Sequence, residues 1–320
     1  MAGLAGGAAS ARAEIPGVPF FEDFSALVEE KEVWAMAQDG DGVLYLGTGV
    51  GVVEWNGVAA TLLPLENGSI VRSVAVHRSG TVYVGGIGEI GAVRRDVTGR
   101  PVYSPLPDAD GHLEGLRDVW RLWPTDDGFL AWTLDRVLAW DGATFTVWPL
   151  ARRTLPGFVA GRLVLADPDG ALLVLDGGEL RDAGAVVGLG GERIRLWLEA
   201  PDGSLILGTS QGHLWRADGA WLSSAPDPER SVIARRFVTE ADAMLEEFRL
   251  YDGRLLADGS MALGTMAGGA VGVDLEGRLR WRLDRGVGLP DSSVWSLAED
   301  RQGGVWLGLS RGVVRVGLDV

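Results

Sequence analysis

Residues 33–51 read VWAMAQDGDGVLYLGTGVG, and residues 294–312 read VWSLAEDRQGGVWLGLSRG. Aligned without a gap, the two share a Val-Trp start, an Asp-x-x-Gly turn, a Leu-Gly pair and a final glycine. Residues 194–212, IRLWLEAPDGSLILGTSQG, fit the same frame. Residues 71–91, VRSVAVHRSGTVYVGGIGEIG, fit with two extra residues near the end, and residues 259–269, GSMALGTMAGG, match the middle with one insertion. Two degenerate copies complete the set: VWRLWPTDDGFLAWT from Val119 and GRLVLADPDG from Gly161. The turn glycines Gly42, Gly80, Gly128, Gly161, Gly203, Gly259 and Gly303 are spaced 33 to 56 residues apart, with a mean of 43.5. That is seven units of the length of one four-stranded propeller blade.

The residue pattern inside each unit is that of strands. Apolar and polar residues alternate at period two, and Asp-Gly or glycine-rich turns interrupt them every few residues. The Val-Trp run forms strand a, for example Val33–Gln38. An Asp-Gly-type turn leads into strand b, and a glycine-rich turn into strand c. Strand d is weakly marked, with Leu62-Leu63 and Phe145–Trp148 as candidates. Thr239–Phe248 is the one helix-like stretch and reads as an insertion. The seventh unit ends at strand c, Val313–Val316. The extended apolar segment from Val18 to Phe24 has no unit of its own, so it is expected to supply the missing fourth strand and close the ring. Closure removes two open sheet edges, and Pro19 suits an edge strand. The fold class is therefore all-β, a seven-bladed β-propeller of four-stranded blades closed by residues 18–24.

Residues 15–320 read as this single propeller. Residues 1–14 contain MAGLAGGAASARAE. They read either as a flexible Ala/Gly tail or as the remnant of a signal peptide ending at Ala11-Arg12-Ala13. No run of 18 apolar residues exists, so the sequence predicts no membrane span. The chain has 29 Lys+Arg against 44 Asp+Glu, a net charge of −15. That balance disfavours a nucleic-acid partner, which needs a basic stripe. The absence of cysteine removes disulfides, thiolate metal sites and thiol nucleophiles, but leaves the compartment open between periplasm and cytoplasm.

Trp34, Trp120 and Trp295 share one position in strand a, and Arg72, Arg195 and Tyr251 occupy it in other units. Large aromatics there are expected to fill the wedge between blades, the packing reading being favoured over ligand stacking. Trp197 and Trp306 are off this register and are expected in the core. A charged group near a propeller axis calls for a partner. Glu32, Asp118 and Glu247 are the carboxylates within sequence reach of Arg72 and Arg195, and ligand binding is the alternative.

The d–a and b–c turns surround one mouth of the channel. Residues expected there are Lys31, Glu32, Glu89, Arg117, Asp135, Arg136, Arg193, Gln211, Ser292, Ser293 and Arg311. Together with Arg72 and Arg195, the set Glu32, Glu89, Arg117, Arg136, Gln211 and Arg311 forms the candidate ligand-binding site. Mixed charge beside tryptophan suits a polar small molecule or an oligosaccharide. The three histidines, His77, His112 and His213, fall in different parts of the unit, so the sequence supports no catalytic residue, no metal and no cofactor. Asp39, Asp127, Asp202, Asp258 and Asp300 recur in a–b turns, where aspartate hydrogen-bonds its own turn backbone. The segment GGIGEIG, residues 85–91, has neither a following helix nor a lysine and does not read as a phosphate loop.

The units VWAMAQDGDGVLYLGTGVGVVEWNG and VWSLAEDRQGGVWLGLSRGVVRV resemble the propeller repeat of bacterial two-component regulators. PFFEDF, SIVRSVAVHRSGTVYVGGIGEIG and GLPDSSVWSLAED resemble segments at matching places in such sensors, and the resemblance runs from about residue 18 to 318. It implies an extracytoplasmic, periplasmic sensor that relays to an attached or partner output module. In that family the propeller precedes a triple-tyrosine β-sandwich, a membrane helix and a kinase, cyclase or DNA-binding output. The family carries no shared catalytic residues. This chain is then expected to be an excised or truncated sensor or a stand-alone propeller. Two other readings stay open: a propeller enzyme of streptogramin-lyase or lactonase type with a metal on the mouth face, and a protein-interaction scaffold.

Overall fold

The computed structural model describes residues 18–29 and 31–318; the expectation for residues 1–14 lies outside the described residues. The chain opens with β1 (Phe21–Asp23). Blade 1 follows as β2 (Val33–Gln38), β3 (Leu44–Thr48), β4 (Gly51–Trp55) and β5 (Ala60–Leu63). Blade 2 is β6 (Val71–Val76), β7 (Val82–Gly86), β8 (Ile90–Arg95) and β9 (Pro101–Pro105). Blade 3 is β10 (Arg121–Pro124), β11 (Phe129–Trp132), β12 (Arg136–Trp140) and β13 (Phe145–Pro149). Blade 4 is β14 (Leu155–Val159), β15 (Arg162–Ala166), β16 (Ala171–Asp176) and β17 (Glu179–Val187). Blade 5 is β18 (Ile194–Glu199), β19 (Ser204–Thr209), β20 (Leu214–Asp218) and β21 (Ser231–Phe237). A short helix α1 (Asp242–Phe248) precedes blade 6, which is β22 (Leu250–Leu255), β23 (Met261–Thr265), β24 (Ala270–Val273) and β25 (Leu279–Leu283). Blade 7 takes β26 (Val294–Glu299), β27 (Val305–Leu309) and β28 (Val313–Val316), with β1 as its fourth strand.

The closing strand pairs as expected. Phe21 faces Val316 and Asp23 faces Val314 in antiparallel register. Blades 4 and 5 depart from the simple scheme. Their outer strands β17 and β21 pair in parallel, Val186 opposite Val232, joining two blades into one eight-stranded sheet.

The seven innermost strands line one central channel, each contributing residues to its wall. Their packing explains the Leu-Gly pair of the repeat. In five blades the first strand bulges at its second residue, so that two residues face one on strand b. The residue facing the position after the bulge is a glycine: Gly47, Gly85, Gly208, Gly264 and Gly308. An added Cβ at four of these would meet the next blade's leading residue: Val71 at 2.7 Å, Val119 at 2.6 Å, Leu250 at 2.5 Å and Val294 at 2.7 Å. At Gly308 it would strike Ser296 and Val33. The leading residues Val33, Val71, Val119, Leu250 and Val294 are at most 1% exposed. Each is a peg seated in a notch that only glycine leaves open.

This geometry corrects the expected role of the repeated aromatics. The apolar pegs, and not Trp34, Trp120 and Trp295, fill the wedge between blades. A bulge interrupts the alternation of a strand and re-aims one side chain. The bulged residue, Trp34 in blade 1 and its counterparts, is thereby turned to the channel mouth. Trp197 and Trp306 are buried at 7% and 2% exposure, as expected for core residues.

The turn residues act locally. Asp39, Asp202, Asp258 and Asp300 each accept backbone N–H groups two to four residues on. Asp127 is not used this way; in blade 3 the hydroxyl of Thr125 accepts from Gly128 N instead. At the b–c turns, Thr48, Thr133 and Thr265 donate to a carbonyl three or four residues on, at 2.8–3.0 Å.

The peg-and-notch packing predicts that Gly264→Ala lowers stability by about 1–3 kcal/mol, because the new methyl overpacks against a fully buried valine. Gly40 has open space around its Cα, so Gly40→Ala should stay within about 0.5 kcal/mol of the parent. Urea unfolding of the two variants checks this.

Candidate functional site

The five bulged residues, together with Trp120 at the head of blade 3, form a continuous arc around the channel mouth. The Arg72 guanidinium lies 4.4 Å from the Trp34 ring and 4.5 Å from the Trp120 ring, between the two. Trp34 stacks on Trp295 at 5.3 Å and 19°. Trp295 meets Tyr251 edge-on at 4.8 Å, and Arg195 lies over Tyr251 at 4.9 Å. Six side chains from blades 3, 2, 1, 7, 6 and 5 thus touch in sequence. Rings and guanidinium planes stack because the ring face is electron-rich.

Asp118 anchors the arc, accepting from Arg72 Nε at 2.8 Å. It is one of the three carboxylates anticipated from the sequence. Arg195 has no carboxylate partner among the described residues and is exposed. Three donors within the arc, Trp34 Nε1, Trp120 Nε1 and Arg72 Nη1, are buried without an acceptor. Directly below, Arg121 reaches across from blade 3 to Asp252 of blade 6 at 3.4 Å. Asp252 also accepts from Leu297 N at 3.1 Å. The channel, about 430 Å³ in volume, is therefore bridged beneath the arc.

The remaining candidates surround the mouth but differ in availability. Glu89 accepts from the backbone N–H groups of Glu66 and Asn67, so it tethers a turn. Arg136 is held by Asp135 at 3.1 Å and by the Glu114 carbonyl at 3.3 Å. Glu32 is partly buried and lies against Gly49 of its own blade. Gln211 is exposed and bonded to Ser210 at 2.7 Å. Arg117 and Arg311 are exposed on the rim. The structure brings only Arg72 and Arg195 into the arc, joined through the aromatic residues between them.

An ionic network at the blade 5–6 boundary was not apparent from the sequence, because its members come from two separate loops and helix α1. His213 Nδ1 lies 2.6 Å from Glu192 and its Nε2 lies 2.8 Å from Glu246. The hydrogen bond to Glu192 raises the His213 pKa above its ordinary value, with Glu246 adding to the effect. Burial alone would raise Glu192, but hydrogen bonds from Thr209, His213 and Trp215 outweigh it and lower its pKa. His77 and His112 lie elsewhere, His77 against Ser79 and the Asp126 carbonyl. Among the described residues no group of three His, Asp or Glu side chains is arranged to hold a metal. No helix there is long and apolar enough to cross a membrane.

The matched part of the repeat is the seventh blade and its approach. Residues 288–311 match the two component regulator propeller family. No curated protein matches the sequence. Among solved structures, the chain is similar to the extracellular domain of the putative hybrid two component system BT4673 from B. thetaiotaomicron, with a TM-score of 0.68 and 15% identity over 93% of this chain and 39% of that one. It is also similar to the extracellular domain of BT3049 from the same organism, with a TM-score of 0.67 and 15% identity over 94% of this chain and 42% of that one. The chain thus spans about two-fifths of those extracellular domains. Virginiamycin B lyase from Staphylococcus aureus gives a TM-score of 0.69 and 10% identity over 93% of this chain and 97% of that one. At these identities the likeness is one of fold, and that fold is the β-propeller.

The His213 network predicts a pH signature. A histidine with a raised folded-state pKa contributes stability below its unfolded pKa and loses it as pH rises through the folded value. The stability difference between the parent and His213→Gln should be largest near pH 6, about 1 kcal/mol, and decline as pH rises above the ordinary histidine range. Glu192 acts oppositely, its contribution being lost as pH falls below the carboxylate range. Thermal unfolding of both proteins across this interval measures the effect.

Proposed function

We propose that this protein is the ligand-binding sensor propeller of a two-component-type regulator, working outside the cytoplasm and without catalysis of its own. It binds a polar ligand, an oligosaccharide, at the channel mouth and passes the binding event to an output module in an attached segment or partner. The observation that carries this reading is the arc from Trp120 to Arg195. It offers flat apolar faces, a guanidinium with no carboxylate partner and buried donors without acceptors on one side of the ring. Sugar rings present apolar C–H faces and many acceptor oxygens, which such a surface matches. Binding that differs between two arrangements of an attached module is sufficient for relay.

A propeller lyase is the second reading. It is favoured by the near-complete coverage of virginiamycin B lyase by this chain. The mouth would then need a catalytic base, and His213, held between two glutamates, is a histidine on that face.

Isothermal titration with a panel of neutral oligosaccharides tests the sensor. Trp295→Ala removes the centre of the arc and should weaken the bound sugar by about two- to tenfold, since stacking on one ring is worth about 0.5–1.5 kcal/mol. Absence of binding across the panel, together with turnover of a streptogramin B that is lost in His213→Gln, would favour the lyase.

A further inference from the structure

The arc is broken at one blade only. In blade 4 the first strand pairs from Leu155, opposite Ala166, without a bulge; the preceding Thr154 is buried and supplies no ring to the arc, and Arg153 is exposed. In blade 3, Trp132 faces Arg121 and so occupies the place held by glycine in five blades and by Ala166 in blade 4. Bulk is thus supplied by the facing residue, the reverse of the five seams in which an apolar peg meets a glycine.

A pocket of about 210 Å³ opens on the mouth face at this break, between blades 3, 4 and 5. That volume equals roughly seven waters at ~30 Å³ each, room for one small ring. Its walls are mostly apolar, with Leu134, Leu155, Pro168 and Ile194 among them. Thr154 lies within it, 2% exposed, and its hydroxyl has no hydrogen-bond partner. Arg153 and Arg193 stand on the rim, both exposed. The nearby carboxylates are already engaged: Asp167 with Arg152 at 2.9 Å and Asp135 with Arg136 at 3.1 Å. Among the described residues neither Arg153 nor Arg193 has a carboxylate partner.

We propose that this pocket binds a small organic anion with a compact apolar body, an aromatic or branched-chain carboxylate. The body fills the apolar walls, an oxygen on it meets the Thr154 hydroxyl, and the carboxylate lies between Arg153 and Arg193. A chain carrying a net charge of −15 repels anions in general, so two uncompensated guanidiniums over an apolar cavity select for a specific one. The inference rests on the mouth being the ligand face, but not on the arc ligand being a sugar.

Benzoate and benzyl alcohol are the probes, the second keeping the ring and removing the charge. Titration followed by NMR should show saturable one-to-one benzoate binding, with benzyl alcohol about tenfold weaker. The double variant Arg153→Ala/Arg193→Ala should lose at least tenfold for benzoate and bind benzyl alcohol as the parent does. Both substitutions are on exposed side chains, and thermal unfolding verifies the fold. Trp295→Ala should retain benzoate binding within about twofold, which separates this site from the oligosaccharide reading. Equal affinity for the two probes, unchanged binding in the double variant, or no saturation by benzoate would each overturn the proposal.

Discussion

The ring is held by one recurring contact, made at five of its seven seams: an apolar peg at the head of one blade, seated against a glycine in the blade before it. The contact needs two things of the sequence. The peg must be apolar and compact, and the facing residue must lack a Cβ. Burial of the peg is worth roughly 1.5–3 kcal/mol per side chain, and the seams are linked in a closed circle. The ring is closed only because β1 completes blade 7. The same register that places Gly308 under Val33 also places Phe21 opposite Val316, so the seam and the closing strand reinforce each other.

The bulge beside each peg converts a packing rule into a surface. If strand a ran without interruption, the residue after the peg would point along the blade and be covered. The bulge turns it to the channel mouth, and repetition of the unit repeats the turn. The arc of Trp34, Arg72, Trp120, Arg195, Tyr251 and Trp295 is thus a by-product of ring assembly. Its chemistry can vary at little cost to the seams. That explains why the unit tolerates tryptophan, tyrosine or arginine at one position while the neighbouring peg stays Val, Ile or Leu.

The repeat made the blade count, the strand order, the closing strand and the Asp-led turns legible, because each depends on residues close together in the chain. The Val-Trp pair showed that the position after the peg was special, but not why. A bulge is defined by counting residues on two strands at once, and no single strand carries that information. A carboxylate partner for Arg72 was expected from the cost of burying a charge, with Asp118 among the examples, although the two are far apart in the chain. The His213 network, the Arg121–Asp252 bridge and the parallel join of β17 to β21 were not legible. Each unites residues from different blades whose spacing in the sequence follows no motif.

The degenerate units carry the most specific information. In a ring of identical blades every mouth position would be equivalent, and a ligand would have no preferred place to bind. Blades 3 and 4 break that equivalence by exchanging the roles of peg and notch. Trp132 fills a glycine's place, so the close approach made by the other pairs of innermost strands is missing between β10 and β14. Arg153 stands exposed at the head of blade 4, and the buried Thr154 beside it supplies no ring to the arc. The cost in packing at the blade 3–4 seam is offset by the large apolar surface of Trp132, 4% exposed. A weak match to the repeat is therefore where this architecture can hold a distinct pocket, and a regular match is where it holds itself together.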